Sequence, residues 1–69
     1  MAYPLIEKTY FTTENEAWRF AQMIGAIKHW GVTDYGYEEG KNEPYFVETI
    51  NHPFASESEL SKLIQARMA

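Results

Sequence analysis

The chain has 69 residues, no cysteine, and ten acidic residues against six basic ones, for a net charge of -4. These figures leave no basis for a disulfide framework or a zinc–thiolate site, and they argue against nucleic acid and anionic membranes, whose binding rests on Lys and Arg. What remains is one small domain over residues 1–69 with a surplus of rings: two Trp, five Tyr and four Phe exceed what so small a core needs.

Residues 1–4 contain no basic region followed by an apolar run. No signal peptide is expected, and no apolar stretch is long enough to span a bilayer. The expectation is a soluble cytoplasmic protein. Leu5 to Thr12 reads as the first strand, rich in β-formers and following Pro4, which a strand start tolerates.

Thr13-Glu14-Asn15-Glu16 then forms a capping box, with acidic residues in the first turn, and predicts a helix from Glu14. Steps of ~100° gather Phe20, Met23, Ile24, Ile27 and Trp30 on one core stripe, with Ala17 and Ala21 at its margin. The helix is expected to run to Trp30. Lys28 and His29 fall in its last turn, and Gly31 ends it in the left-handed conformation.

Val32 to Glu38 and Pro44 to Asn51 read as two strands of a hairpin. The intervening loop holds Gly40 and Asn42, both suited to positive φ. Tyr45-Phe46-Val47 is the most hydrophobic strand segment and belongs at the sheet centre. Pro53 keeps the chain out of helix after Asn51. Ser56-Glu57-Ser58-Glu59 is a second capping box. Leu60, Leu63, Ile64 and Met68 then recur at helical spacing.

The order is β-α-β-β-α, an α+β fold. A right-handed crossover followed by a hairpin gives a three-stranded antiparallel sheet in spatial order 1-3-2. A two-layer arrangement puts both helices on one face. By topology alone this resembles a ferredoxin-like fold lacking its last strand, a resemblance that implies no function.

Four rings form the candidate binding residues. Trp18 falls off the core stripe, beside Gln22, Gly25 and His29, and Trp is enriched at interaction hot spots. Ala21 and Gly25 would let another element approach this flank. The competing reading buries Trp18 under the second helix. Tyr35 and Tyr37 alternate along one strand and share a face. Tyr45 is expected to lie opposite them, and Tyr10 to add a further ring. Tyr45-Phe46-Val47 resembles an aromatic strand of RNA-recognition domains, but the basic residue and glycines of that motif are missing before it. Glu43 and Glu48 have the wrong charge for it.

His29 and His52 have no ligand spacing, so no metal site is expected. No cofactor and no catalytic residue are expected either. There is no thiol, no glycine-rich loop leads into a helix, and neighbouring Glu38 and Glu39 would point to opposite faces of a strand. The first expectation is a protein-interaction module that self-associates as a homodimer through its surplus rings, or binds another protein. The second is an acidic regulator or mimic, using Asp34, Glu38, Glu39, Glu43 and Glu48 against a basic surface. The third is a single-strand nucleic-acid binder stacking bases on Tyr35, Tyr37 and Tyr45.

Overall fold

Val47 and Ile50 on the third strand are each only 1% exposed. They are three residues apart, so they point to opposite faces of the sheet. A strand buried on both sides needs a layer on each side, and that requirement organises the fold. The computed structural model describes residues 4–68. Its elements are β1 (Leu5–Phe11), α1 (Glu14–Gly25), β2 (Trp30–Tyr37), β3 (Tyr45–Asn51) and α2 (Glu57–Met68). The sheet is antiparallel with order β1-β3-β2, as the sequence implies.

The two helices lie on opposite faces, which corrects the expected two-layer arrangement. On one face, Phe11 is the register partner of Tyr45, and the Phe11 ring meets Phe20 of α1 at 5.1 Å. This face carries Tyr45 and Val47. On the other face, Ile50 clusters with Ala55 and Leu60, and Leu63 and Ile64 of α2 pack against that cluster. Glu48, on the same side as Ile50, is bound by Arg67 of α2. The result is an α/β/α sandwich, and the resemblance to a ferredoxin-like fold stops at the strand order.

Local chemistry explains the element boundaries. Thr13 caps α1, accepting from the Glu16 N–H at 3.2 Å, while the hydroxyls of Thr12 and Thr13 donate to the Glu16 carboxylate. These bonds hold the Glu16 carboxyl below its ordinary range, with Thr12 as the larger cause. Ser56 repeats the device at α2, accepting from the Glu59 N–H at 3.2 Å. Gly40 takes φ +89 in the hairpin loop, so the loop turns where the sequence indicates.

α1 ends at Gly25, five residues before the expected Trp30. The N–H groups of Ala26 and Ile27 donate to Met23 and Ile24 in tight i→i+3 bonds that satisfy the last carbonyls. Trp30, Gly31 and Val32 instead pair with Asn51, Ile50 and Thr49. Sheet pairing has overridden helical periodicity there. His29, and not Gly31, adopts the left-handed conformation, with φ 67. Met23 and Ile27 lie exposed, against the expectation that they help form the core.

Candidate functional site

The face under α1 is only partly covered. Ala17, Ile24 and Phe20 set the helix down on the sheet, with Ala17 and Ile24 buried. The flank of α1 that looks toward β2 carries Glu14, Ala17, Trp18 and Ala21, spaced i, i+3, i+4 and i+7. That spacing is one stripe of a helix. Two alanines in this stripe keep the helix from filling the space beside it.

A groove of about 510 Å³ runs between this flank and the sheet, walled by Glu14, Trp18 and Ala21 on one side and by Tyr35, Tyr45 and Val47 on the other. Tyr35 is the register partner of Val47, and Tyr37 that of Tyr45. The Tyr37 and Tyr45 rings stack edge to face with centroids 5.1 Å apart, which carries the aromatic surface to the rim. Trp18 is 55% exposed, Tyr35 63% and Tyr37 59%. Three of the four rings singled out in the sequence, Trp18, Tyr35 and Tyr45, therefore line one groove, and Tyr37 adjoins it through Tyr45. α2 lies on the opposite face, so it does not cover Trp18.

Comparison with family models, with curated proteins and with solved structures finds no match to this chain. The site has to be read from its own geometry. Glu14 is the one acidic residue lining the groove, and no Lys or Arg lines it among the described residues. Glu14 takes part in none of the ion pairs among those residues. The wall is chiefly aromatic and aliphatic, with a single carboxylate at the first turn of α1.

Tyr10 does not join these rings. Its partner Phe46 faces the other side, and the two rings sit 6.3 Å apart there. The Tyr10 hydroxyl donates to Glu38 at 3.1 Å. Lys8 and Lys41 pair with the same carboxylate at 3.2 and 3.0 Å, and their ammonium groups sit over the rings of Phe46 and Tyr10. Glu38 is held below the usual carboxylate range, by Lys41 foremost and then by Lys8 and Tyr10. Its carboxylate correspondingly raises both lysines.

The acidic stretch is thereby thinned as a surface. Glu38 is neutralised by two lysines, and Glu48 by Arg67 at 2.7 Å. Asp34 accepts from the backbone N–H of Tyr35 at 2.9 Å. Glu39 and Glu43 stay exposed in the loop.

Sequence reasoning missed Glu14 as a groove residue, since its place in the capping turn already accounted for it. The i, i+3, i+4, i+7 stripe through Trp18 was the signal that would have found it. Gly25 shows no close approach, with nothing near its α-carbon on the side-chain side.

Proposed function

We propose that this chain is a protein-interaction module without catalytic activity, and that it engages its partner through the aromatic groove. The observation carrying this reading is the gathering of Trp18, Tyr35 and Tyr45 around one groove with Tyr37 stacked on Tyr45 beside it; Trp18, Tyr35 and Tyr37 are each more than half exposed. Rings left in water at that density are a cost to a lone domain. Desolvation by a partner turns them into binding energy. A groove of this volume falls in the range of ordinary ligand sites, about 300–1,000 Å³.

Self-association is the second reading. It is favoured by β2, an edge strand whose outer row of backbone groups is open to pairing and which carries exposed Tyr35 and Tyr37. The nucleic-acid reading finds no support in the groove, where no Lys or Arg stands ready to neutralise phosphate. The acidic-mimic reading loses ground because Glu38 and Glu48 are paired internally.

Site-specific photocross-linking in cells tests the module. A photoreactive phenylalanine analogue in place of Tyr35 should give a discrete covalent adduct, and the same analogue at Lys62 of α2 should not. The adduct's mass separates a second copy from a different protein. If position 35 gives no more adduct than position 62, the groove is not an interaction surface.

A further inference from the structure

Beyond its bulge, β2 turns a short row of backbone groups away from the sheet. The Glu38 N–H donates to the Pro44 carbonyl at 2.7 Å, on the rung that follows the Tyr37–Tyr45 pair. Bonded and unbonded rungs alternate in an antiparallel ladder. Gly36, two residues back, therefore turns its N–H and C=O to β3, while Tyr35 and Tyr37 turn theirs outward. No strand among the described residues lies beyond β2. One outward donor is nevertheless taken: the Asp34 carboxylate accepts from the Tyr35 N–H at 2.9 Å.

The strand register also shifts between Val32 and Asp34. Thr33 is the extra residue on β2, with its hydroxyl bound to Glu48. A bulge of this kind twists an edge strand away from a straight partner. The straight part of the row is thus limited to residues 35–37, and its first donor is blocked.

A second copy of the chain fits so short a row. Antiparallel pairing about a two-fold axis through Gly36 sets Tyr35 of each copy against Tyr37 of the other. Both rungs are then bonded rungs, and four backbone bonds form. An axis at Tyr35 or Tyr37 brings the bulge or the hairpin loop into the outer rungs and halves that number. Tyr35 and Tyr37 share one face and are both exposed, so the rings of the two copies cover one another across the axis. The contact is isologous and closes at two copies. Two of its four bonds need the Tyr35 N–H that Asp34 holds.

We infer that Asp34 guards the β2 edge: its carboxylate occupies the Tyr35 N–H, and freeing that donor lets two copies pair through residues 35–37. A charge-assisted hydrogen bond has to be given up on each strand before they join. The guard deepens the self-association reading and is independent of what fills the groove.

Sedimentation equilibrium over a dilution series compares the parent with Asp34→Ala, Asp34→Asn, and Asp34→Ala combined with Tyr37→Pro. Asp34→Ala should dimerise more tightly than the parent by about tenfold or more, since both guards are lost. Asp34→Asn keeps an acceptor oxygen without the charge and should fall between them. Proline at position 37 removes an outward N–H and leaves the ladder to β3 whole, so the combined variant should associate no more than the parent. Amide hydrogen exchange in the dilute parent needs no substitution: the Tyr35 N–H should exchange about tenfold more slowly than the Tyr37 N–H.

A parent that stays monomeric while Asp34→Ala dimerises supports the guard and removes self-association from the functions of the free chain. No dimer from Asp34→Ala, or dimerisation that survives Tyr37→Pro, overturns the inference. Equal dimerisation of the Asn and Ala variants also overturns it, by assigning the effect to the Asp34 charge, which this pairing sets opposite Glu38 of the second copy. Equal exchange at Tyr35 and Tyr37 shows that the carboxylate does not hold the N–H and overturns it as well.

Discussion

Tyr37 and Tyr45 face each other across the β2–β3 pair with their ring planes inclined at 69°. This edge-to-face contact sets the electropositive rim of one ring against the negative face of the other. A double-mutant cycle with Tyr37→Ala and Tyr45→Ala should give a coupling of about 0.5–1 kcal/mol, the lower part of the range for aromatic pairs because Tyr37 is largely exposed. Tyr35 has Val47 as its register partner, so Tyr35→Ala should cost about 0.5 kcal/mol or less. Urea denaturation of the four proteins measures the cycle. A coupling of zero would show that the rings do not meet in solution.

Gly31 is fixed by α2 on the far face. A β-carbon there would strike Cδ1 of Ile64, approach its Cγ1 at 3.2 Å and touch Cγ2 of Ile50 at 3.6 Å. Gly31→Ala should therefore destabilise by about 1–3 kcal/mol, the usual cost of overpacking. Ile64→Val removes the struck atom. In that background the glycine substitution should cost about 1 kcal/mol less, since contacting sites are not additive. Strict additivity in thermal or urea melts would place α2 elsewhere.

These two contacts separate what the sequence made legible from what it did not. The capping boxes at Thr13 and Ser56 depend on residues three apart, so they and the helix starts could be read locally. The shared face of Tyr35 and Tyr37 follows from a period of two. Their meeting with Tyr45 and Trp18 needed the strand register and the helix position, which are long-range. The end of α1 departs from the sequence pattern because residues 26–30 continue a helical apolar pattern, while the backbone of Trp30 and Gly31 is paired with β3. The side taken by α2 was available in principle. Phe46, Val47 and Ile50 give β3 apolar residues on both faces, the mark of a strand with a layer on each side.

His29 carries a backbone conformation that an L-residue enters at a cost of about 1–2 kcal/mol. Its Nδ1–H donates to the Ala55 carbonyl at 3.1 Å, a bond whose net contribution is about 1 kcal/mol. Glycine at this position relieves the first and loses the second, so His29→Gly should stay within about 1 kcal/mol of the parent. Alanine loses the bond and keeps the conformational cost. His29→Ala should be less stable than His29→Gly by about 1 kcal/mol in urea denaturation. The reverse order would mean that residue 29 does not hold positive φ.

Glu48 gives the fold a defined response to acid. Its Oε1 accepts from Arg67 Nε and Nη2 at 3.0 and 2.7 Å and from the Thr33 hydroxyl at 2.8 Å. Arg67 first, and Thr33 second, hold its carboxyl below the ordinary glutamate range, which is about 4.3 in an unfolded chain. A folded-state value below the unfolded one means that protonation favours unfolding. The contribution is complete above the unfolded value and disappears as pH falls through the folded one. Stability should thus hold level from neutral pH to about pH 5 and decline below that. Glu16 and Glu38 are shifted in the same direction and add to the decline. Glu48→Gln should lose about 1 kcal/mol at pH 7, limited by solvent around the half-exposed Arg67. It should also show a shallower fall between about pH 5 and 3 than the parent. Urea midpoints taken across that range decide it, and parallel curves for the two proteins would show that the Arg67 and Thr33 contacts do not stabilise the charged form of Glu48.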